Sequence, residues 1–161
     1  MIYSLPPVAG QNPKILILGS MPGKESLRAQ RYYNHPRNRF WPFLFGYFKC
    51  NPTDNYEAKK ALLTGNGIAL WDVIERCERK TSLDSDIKDS VPNDIEDFLN
   101  THPVQAILLN GGKAWAEFQK RFNWCSAAAV IPLPSTSPAN AGWNKKNCQQ
   151  EWANALDMFL R

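Results

Sequence analysis

The sequence predicts an α/β fold built on a mainly parallel sheet, and three observations support this prediction. Four short apolar runs, at residues 14–18, 67–73, 104–109 and 127–131, have the length and composition of buried strands. Segments of helical composition alternate with these runs, as they do in strand–helix–strand units. The first run ends in the Gly-x-x-Pro-Gly turn of residues 19–23, which predicts a tight backbone turn from a strand into a helix.

The remaining elements follow from apolar spacing and from turn residues. Residues 1–13 contain three prolines and are predicted to cross the surface as an irregular lead-in. Helices are predicted over residues 24–31, 40–48, 56–63, 92–100, 113–122 and 147–160. Pro92 is expected to open the fourth of these helices, and the acidic segment after Lys80 is expected to form a long loop. No repeat or linker interrupts the pattern, so residues 1–161 are interpreted as a single domain.

The composition is that of an ordinary globular protein with a mild excess of positive charge. Of its 161 residues, 43% are hydrophobic and 21% are charged, and the formal net charge is +4. Cations concentrate near the first turn, at Lys24, Arg28, Arg31, Arg37 and Arg39. A polyanionic partner such as DNA would fit this distribution, although solvated faces account for most charge clusters.

The cysteines and histidines do not form a metal-binding pattern. The four cysteines lie far apart without a Cys-x-x-Cys pair, and there are only two histidines. This predicts reduced thiols and neither a metal ion nor an iron–sulfur cluster. No apolar run approaches the length of a membrane span, and the first residues do not resemble a signal peptide. We therefore expect a cytoplasmic protein that does not associate with membranes.

Glycines, hydroxyls and amides follow the predicted strands. The carboxyl ends of parallel strands meet at one edge of the sheet, which would bring together residues 19–23, 110–112 and 132–140. Asn110 could present its amide to the edge of a nucleobase, or it could simply form an Asn-Gly turn. Asp72, which ends the second strand, is interpreted as a structural cap or turn former. This inventory suits an enzyme that positions and stabilises its substrate, with little proton transfer by side chains.

Two further segments contain side chains that suit DNA phosphates. The Ser-Thr-Ser run of residues 135–137 lies between prolines and could clamp a phosphodiester, or it could cap a turn before a helix. Residues 31–41 combine aromatics, cations and amides within a short stretch. Within that stretch, Arg37 and Arg39 could contact phosphates or could be ordinary surface charges.

These motifs resemble those of the uracil-DNA glycosylase superfamily. Its two signature motifs are a Gly-x-x-Pro-Gly turn after the first strand and a late Pro-Ser-x-Ser loop, found here at residues 19–23 and 134–137. Within that superfamily, the first turn followed by Tyr-Tyr-Asn-His-Pro-Arg-Asn-Arg-Phe-Trp at residues 32–41 resembles the hypoxanthine-DNA (deoxyinosine) glycosylase family. Residues 67–73 and 82–87 extend the resemblance in the correct order over most of the chain.

The resemblance implies a fold and an activity. The fold would be a three-layer α/β/α sandwich around a central four-stranded, mainly parallel sheet. The activity would be that of a monofunctional DNA glycosylase, which hydrolyses the N-glycosidic bond of deaminated bases, hypoxanthine or uracil, and so initiates base excision repair. Such an enzyme would need no cofactor or metal. Its partner would be double-stranded, or possibly single-stranded, DNA, and we expect it to act as a monomer.

The resemblance also assigns roles to individual residues. The base-binding pocket would consist of the first turn, two aromatics and an amide, namely Gly19, Ser20, Met21, Pro22, Gly23, Tyr33, Phe40 and Asn110. Phosphates would be contacted by two arginines and the hydroxyl-bearing loop, namely Arg37, Arg39, Ser135, Thr136 and Ser137. Asn38, from the His-Pro-Arg-Asn segment, would support catalysis, and Asn34 is the alternative amide.

Two positions depart from the pattern of the superfamily. Many members have a water-activating Asp or Asn where this chain has Met21, and several have His or Asn where it has Leu133. Neither apolar side chain can orient or activate a water molecule well. A damaged-DNA binder without catalytic activity therefore stays open as an alternative to a glycosylase. A second alternative is a flavodoxin-like module whose first turn binds the phosphate of a small nucleotide. An assay of base excision separates these alternatives from the glycosylase.

Overall fold

A computed structural model of the chain describes residues 1–122 and 128–160. The strands are β1 (Ile2–Tyr3), β2 (Ile15–Gly19), β3 (Ile68–Asp72), β4 (Ile74–Glu78), β5 (Lys88–Pro92), β6 (Ala106–Asn110) and β7 (Ala129–Leu133). The helices are α1 (Lys24–Ala29), α2 (Phe40–Tyr47), α3 (Tyr56–Gly65), α4 (Ile95–Thr101), α5 (Gly112–Phe122) and α6 (Cys148–Leu160). A short 3₁₀ helix spans Asp84–Asp86.

The main sheet has four strands in the order β3-β2-β6-β7, and all neighbouring strands are parallel. Every residue of β2 and β6 is buried, as expected for strands covered on both faces. The order of the strands reverses between β2 and β6, and ligands of open α/β sheets bind beyond the carboxyl ends of the strands at such a point. The predicted four-stranded parallel sheet is confirmed, and its switch point lies between Gly19 and Asn110.

Helices cover both faces of this sheet and complete the three layers. On one face, α2, α3 and α6 pack against alternate strand residues such as Ile17 and Leu70. On the other face, α4 and α5 pack against Leu18 and Ile107. The predicted three-layer α/β/α architecture is therefore confirmed. It results from side chains alternating across the sheet, so that each strand contributes to both cores.

A second, small sheet was missed by the sequence prediction. β1, β4 and β5 form an antiparallel sheet in the order β1-β4-β5, so the predicted lead-in contributes a strand. The segment after Lys80, predicted to be a long loop, contains instead the 3₁₀ helix and β5. The sequence of β5, Lys-Asp-Ser-Val-Pro, has little strand propensity of its own. Its strand conformation follows from pairing with β4, which is a tertiary effect.

Several predicted boundaries also change. Pro92 ends β5 and does not open a helix; α4 begins at Ile95, after Asp94, whose side chain accepts a hydrogen bond from the backbone N–H of Asp97 at 2.9 Å. The fourth strand of the main sheet runs over Ala129–Leu133, whereas residues 127–131 were predicted. Residue 127 lies outside the described residues.

The described residues also bear on the expectations about thiols, metals and membranes. Cys50, Cys77 and Cys148 are free thiols, while Cys125 lies outside the described ranges. Within those ranges, His, Cys, Asp and Glu side chains nowhere gather in a group of three or more that could hold a metal ion. A search of the same residues finds no helix with the length and apolarity needed to cross a membrane.

Candidate active site

The carboxyl ends of the main-sheet strands open into a cavity of about 550 Å³. This volume is within the usual range for small-molecule sites, about 300–1,000 Å³. The wall is formed by residues 20–26, 82–85 and 135–140 together with Tyr32, Tyr33, His35, Asn38, Asp72 and Asn110. The fold therefore brings most of the predicted site residues into one cavity, although Gly19, Phe40, Arg37 and Arg39 lie outside its wall.

The Gly-x-x-Pro-Gly turn forms one side of the cavity and is held by residues from the segment after β4. The Ser20 hydroxyl donates a hydrogen bond to Oδ1 of Asp84 at 2.8 Å. The Arg79 guanidinium donates to the carbonyl oxygen of Pro22 at 2.6 Å. The connection between β4 and β5, the segment predicted to be a long loop, thus supplies the anchors of this turn. The acidic segment interpreted as a loop is part of the site.

The two positions that depart from the superfamily pattern are packed into apolar clusters. Met21 is 7% exposed and packs with Ile74, Cys77 and Ile87. Leu133, also 7% exposed, belongs to the core beneath α2 and α6. Any polar group that acts on a substrate in this cavity must therefore come from other positions.

Tyr33 contributes an aromatic ring to the cavity wall. Its φ of 53° is in the left-handed region, which is strained for a bulky residue and is often found at functional sites. The ring lies 4.2 Å, centroid to centroid, from the ring of Phe40. Phe40 is fully buried behind Tyr33 and does not line the cavity. Of the two aromatic residues predicted to contact a base, only Tyr33 lies in the cavity wall.

Asp72, interpreted from the sequence as a structural cap or turn former, lies at the floor of the cavity. It is the residue paired with Gly19 in the parallel register, and its carboxyl group folds over the glycine. A Cβ atom at position 19 would lie 2.6 Å from Oδ1 of Asp72 and 3.0 Å from the hydroxyl oxygen of Tyr33. Burial and the nearby Asp84 carboxylate raise the pKa of Asp72 to about 8, and the Arg79 guanidinium opposes this rise.

Asn110 uses both ends of its amide to hold the second signature loop. Its Oδ1 accepts a hydrogen bond from the backbone N–H of Thr136 at 3.0 Å, and its Nδ2 donates to the Thr136 hydroxyl at 3.0 Å. Asn110 is 8% exposed and Thr136 is fully buried. Gly111 follows with a φ of +99°, and a Cβ there would lie 3.0 Å from the Cβ of Ser135. Of the two roles left open by the sequence, the structural one accounts for these contacts.

The hydroxyls of the second signature loop cap the backbone of the loop itself. The Ser135 hydroxyl accepts a hydrogen bond from the Ser137 N–H, and the Ser137 hydroxyl accepts one from the Ala139 N–H, both at 3.1 Å. Each hydroxyl still has a hydrogen to donate, and residues 135–137 all line the cavity. The loop is therefore a capped turn whose hydroxyls face the site.

Arg39 is bound to the second signature loop. Its Nη1 donates hydrogen bonds to the carbonyl oxygens of Ser137 at 3.0 Å and Asn140 at 3.1 Å. Its backbone N–H donates to the carbonyl of Thr136 at 3.0 Å. The structure thus places Arg39 as a support of the loop, whereas Arg37 is exposed outside the cavity wall.

Of the two candidate catalytic amides, Asn38 lines the cavity. Its Oδ1 accepts a hydrogen bond from the backbone N–H of Phe40 at 2.9 Å, at the start of α2. No hydrogen bond of its Nδ2 group is found among the described residues. Asn34 lies outside the cavity wall, and its backbone N–H donates to the Ser26 hydroxyl at 3.0 Å.

Comparison with known proteins assigns this chain to a family. The sequence profile described as "Uracil DNA glycosylase superfamily" matches residues 6–157. A protein named hypoxanthine DNA glycosylase from Methanosarcina acetivorans is 38% identical over 149 residues, which cover 91% of this chain and 92% of that protein. One of the same name from Methanosarcina barkeri is 34% identical over 152 residues, covering 94% and 95%.

A solved structure agrees with these sequence relatives. The solution NMR structure of a Methanosarcina acetivorans protein, provisionally named a uracil DNA glycosylase, superimposes with a TM-score of 0.84 at 36% sequence identity. The match covers 97% of this chain and 96% of that one. The sequence profile spans both loops of the cavity. The relatives match this chain over nearly their whole length. The chain therefore belongs to the uracil DNA glycosylase superfamily.

Proposed function

We propose that the chain is a monofunctional DNA glycosylase that removes hypoxanthine, and with it uracil, from double-stranded DNA. The observation that supports this most directly is the cavity itself, whose wall combines both signature loops with the Asn38 amide. The curated relatives, both named hypoxanthine DNA glycosylases, favour hypoxanthine as the principal base. The enzyme acts as a single-domain monomer in the cytoplasm and starts base excision repair.

The damaged nucleotide must leave the base stack before it can enter the cavity. Extrusion costs a few kcal/mol, and less when the base is mispaired. The base then lies against the ring of Tyr33 and the backbone of residues 20–23. The phosphates on either side are held by the hydroxyls of Ser135 and Ser137 and by the exposed Arg37. Arg39 and the buried Thr136 keep the loop in place.

Hydrolysis then proceeds on the extruded nucleotide. The bond between the base nitrogen and C1′ breaks, and its electron pair stays with the base. The oxygen of a water molecule forms the new bond to C1′, and a proton of that water ends on the released base. Asn38 orients this water through the amide hydrogens of Nδ2, while its Oδ1 stays bonded to the N–H of Phe40. Fixed N–H dipoles around the base stabilise its developing negative charge.

The proposal is tested by base excision from end-labelled duplexes that contain hypoxanthine, uracil or xanthine, with abasic sites cleaved by alkali. We expect excision of hypoxanthine and uracil and no covalent adduct on borohydride trapping, because a monofunctional enzyme forms no Schiff base. Failure to excise any of the three bases would leave the inactive DNA binder or the nucleotide-binding module as the correct interpretation.

The role of Asn38 is tested with two variants. Asn38→Ala should lower the single-turnover rate about 10²–10³-fold, the usual effect of a well-placed polar group. Because it also removes the acceptor of the Phe40 N–H, the control is Asn38→Ser, whose hydroxyl can still accept that bond. The serine variant should melt like the wild type and be as slow as the alanine variant. Near wild-type rates for either variant would contradict the assignment, and Asn34→Ala should leave the rate unchanged.

A further inference from the structure

Two polar atoms at the floor of the cavity are buried without a hydrogen-bond partner among the described residues. They are Oδ2 of Asp72 and the hydroxyl oxygen of Tyr33. Both side chains line the cavity, and the other carboxyl oxygen of Asp72, Oδ1, lies over Gly19 together with the Tyr33 hydroxyl. In native proteins about 90% or more of buried polar groups are paired, so an orphaned pair of this kind calls for an explanation. A ligand in the cavity could supply the missing partner.

The surroundings of Asp72 favour the uncharged form of its carboxyl group. Burial is the largest influence, followed by the negative charge of Asp84, and both raise its pKa, while Arg79 lowers it. The phenols of Tyr32 and Tyr33 also face this carboxyl group, and their own pKa values are raised by burial first and by Asp72 second. The Asn110 amide lies near the Tyr33 hydroxyl and lowers the pKa of Tyr33, but the contact does not have the geometry of a hydrogen bond. An uncharged carboxyl group has a hydrogen to donate, which a carboxylate lacks.

We propose that Asp72 donates a hydrogen bond, as an uncharged carboxyl group, to the base extruded into the cavity, with the Tyr33 hydroxyl as a second donor. This rests on the proposed glycosylase function. As the glycosidic bond breaks, its electron pair moves onto the base, and the two donors stabilise the resulting negative charge while the proton stays on Asp72. Asp72 and Tyr33 would thus supply hydrogen-bond donors to the leaving base, which the apolar side chains of Met21 and Leu133 cannot do.

This arrangement also selects a class of base. Deamination replaces an exocyclic amino group by a carbonyl oxygen, which accepts two hydrogen bonds through its two lone pairs. Two donors on neighbouring side chains of the cavity wall suit such an oxygen and do not suit an amino group, which is itself a donor. We therefore assign Asp72 and Tyr33 to recognition of the carbonyl oxygen that distinguishes hypoxanthine from adenine and uracil from cytosine.

The first test needs no DNA and uses the pH dependence of unfolding. The pKa of Asp72 is about 8 in the folded chain, above the value of about 3.9 for an unfolded aspartate, so unfolding releases a proton between these limits. Relative to Asp72→Asn, the wild type should lose stability as pH rises through this window, by up to about tenfold in the unfolding equilibrium constant per pH unit. If the difference in unfolding free energy between the two proteins stays constant from pH 4 to 8, Asp72 is not uncharged in the folded chain and the proposal is wrong.

The second test measures single-turnover excision of hypoxanthine from pH 5.5 to 10. The wild-type rate should fall above about pH 8, when Asp72 ionises, whereas Asp72→Asn keeps a donor and should not show this fall. Asp72→Ala should be about 10²–10³-fold slower than the wild type. An asparagine variant with the wild-type alkaline fall, or one as slow as the alanine variant, would overturn the donor role. So would an alanine variant with wild-type rates.

A charge variant and its matched control show whether the alkaline fall belongs to Asp72. Asp84→Asn removes the negative charge that raises the pKa of Asp72, so the fall should move to lower pH. Asp86→Asn, on the same 3₁₀ helix, should leave the alkaline fall in rate at the same pH as in the wild type. Equal shifts in both variants, or no shift in either, would overturn the proposal. A wild type that excises no deaminated base would instead refute the glycosylase function, and the donor role with it.

Discussion

Asn110→Ala is the substitution for which the structure changes the expected result most. Read from sequence, Asn110 could have been a base-reading amide whose loss slows excision alone. In the structure its side chain makes two 3.0 Å hydrogen bonds with Thr136, which is fully buried. Its removal therefore leaves the N–H and the hydroxyl of Thr136 without these partners inside the protein. The loop that would contact DNA phosphates loses an anchor at the same time.

The size of the effect follows from those two groups. A buried polar group left without a partner costs about 1–3 kcal/mol, so for the two groups the free energy of unfolding should fall by about 2–6 kcal/mol. In a domain of this size, 1 kcal/mol corresponds to about 2–4 °C in Tm, so the Tm should drop by about 4–24 °C. Three hydrogen bonds from Arg39 still hold the loop, which makes the lower half of this range the expected result.

The assays are calorimetric unfolding, binding to abasic duplex and single-turnover excision. Asn110→Ala should lower the Tm, the affinity for abasic duplex and the rate of excision, because the loop serves both binding and catalysis. The matched variant Thr136→Val removes the hydroxyl and keeps the N–H bond to Asn110, so it should lose about half as much stability. An alanine variant with the wild-type Tm and abasic-site affinity but slow excision would refute the clamp and make Asn110 a reader of the base.

Two further predictions concern DNA contact and crowding at the cavity floor. Binding of abasic duplex should weaken steeply as salt rises, and Arg37→Ala should reduce the slope of log affinity against log salt by about 1; an unchanged slope would exclude Arg37 as a phosphate contact. Gly19→Ala would place a Cβ 2.6 Å from Oδ1 of Asp72 and 3.0 Å from the Tyr33 hydroxyl oxygen, so it should destabilise the fold by about 1–3 kcal/mol and slow excision. Gly46→Ala, in α2 with open space around it, is the control and should be neutral or stabilising. Equal melting temperatures for the two variants would contradict the crowding.

Local patterns in the sequence were sufficient for the architecture of the main sheet. The apolar runs at β2 and β6 predict strands buried on both faces, because each run is apolar on both sides of the pleat. The glycines of the first turn and the Ser-Thr-Ser run predict the two loops that line the cavity. The resemblance carried by these motifs led to the superfamily and to Asn38, which does line the cavity.

The second sheet and the roles of individual side chains required the tertiary structure. β5 has a polar sequence with weak strand propensity, and only its pairing with β4 makes it a strand. Through that pairing, Asp84 and Arg79 reach the first turn from far along the chain. The hydrogen bonds between Asn110 and Thr136 likewise join two loops that are separate in sequence.

The sequence by itself therefore determined the fold class, the superfamily and the segments that form the cavity, because strand periodicity and turn chemistry are encoded over a few neighbouring residues. The tertiary structure decided which groups meet inside the cavity, because register and burial arise between distant segments. Asp72 is the clearest case. Its local sequence marks it as a structural cap or a turn former, but it lies over Gly19 only because β3 pairs with β2, and its pKa is raised by burial and by the Asp84 carboxylate, which comes from a distant segment.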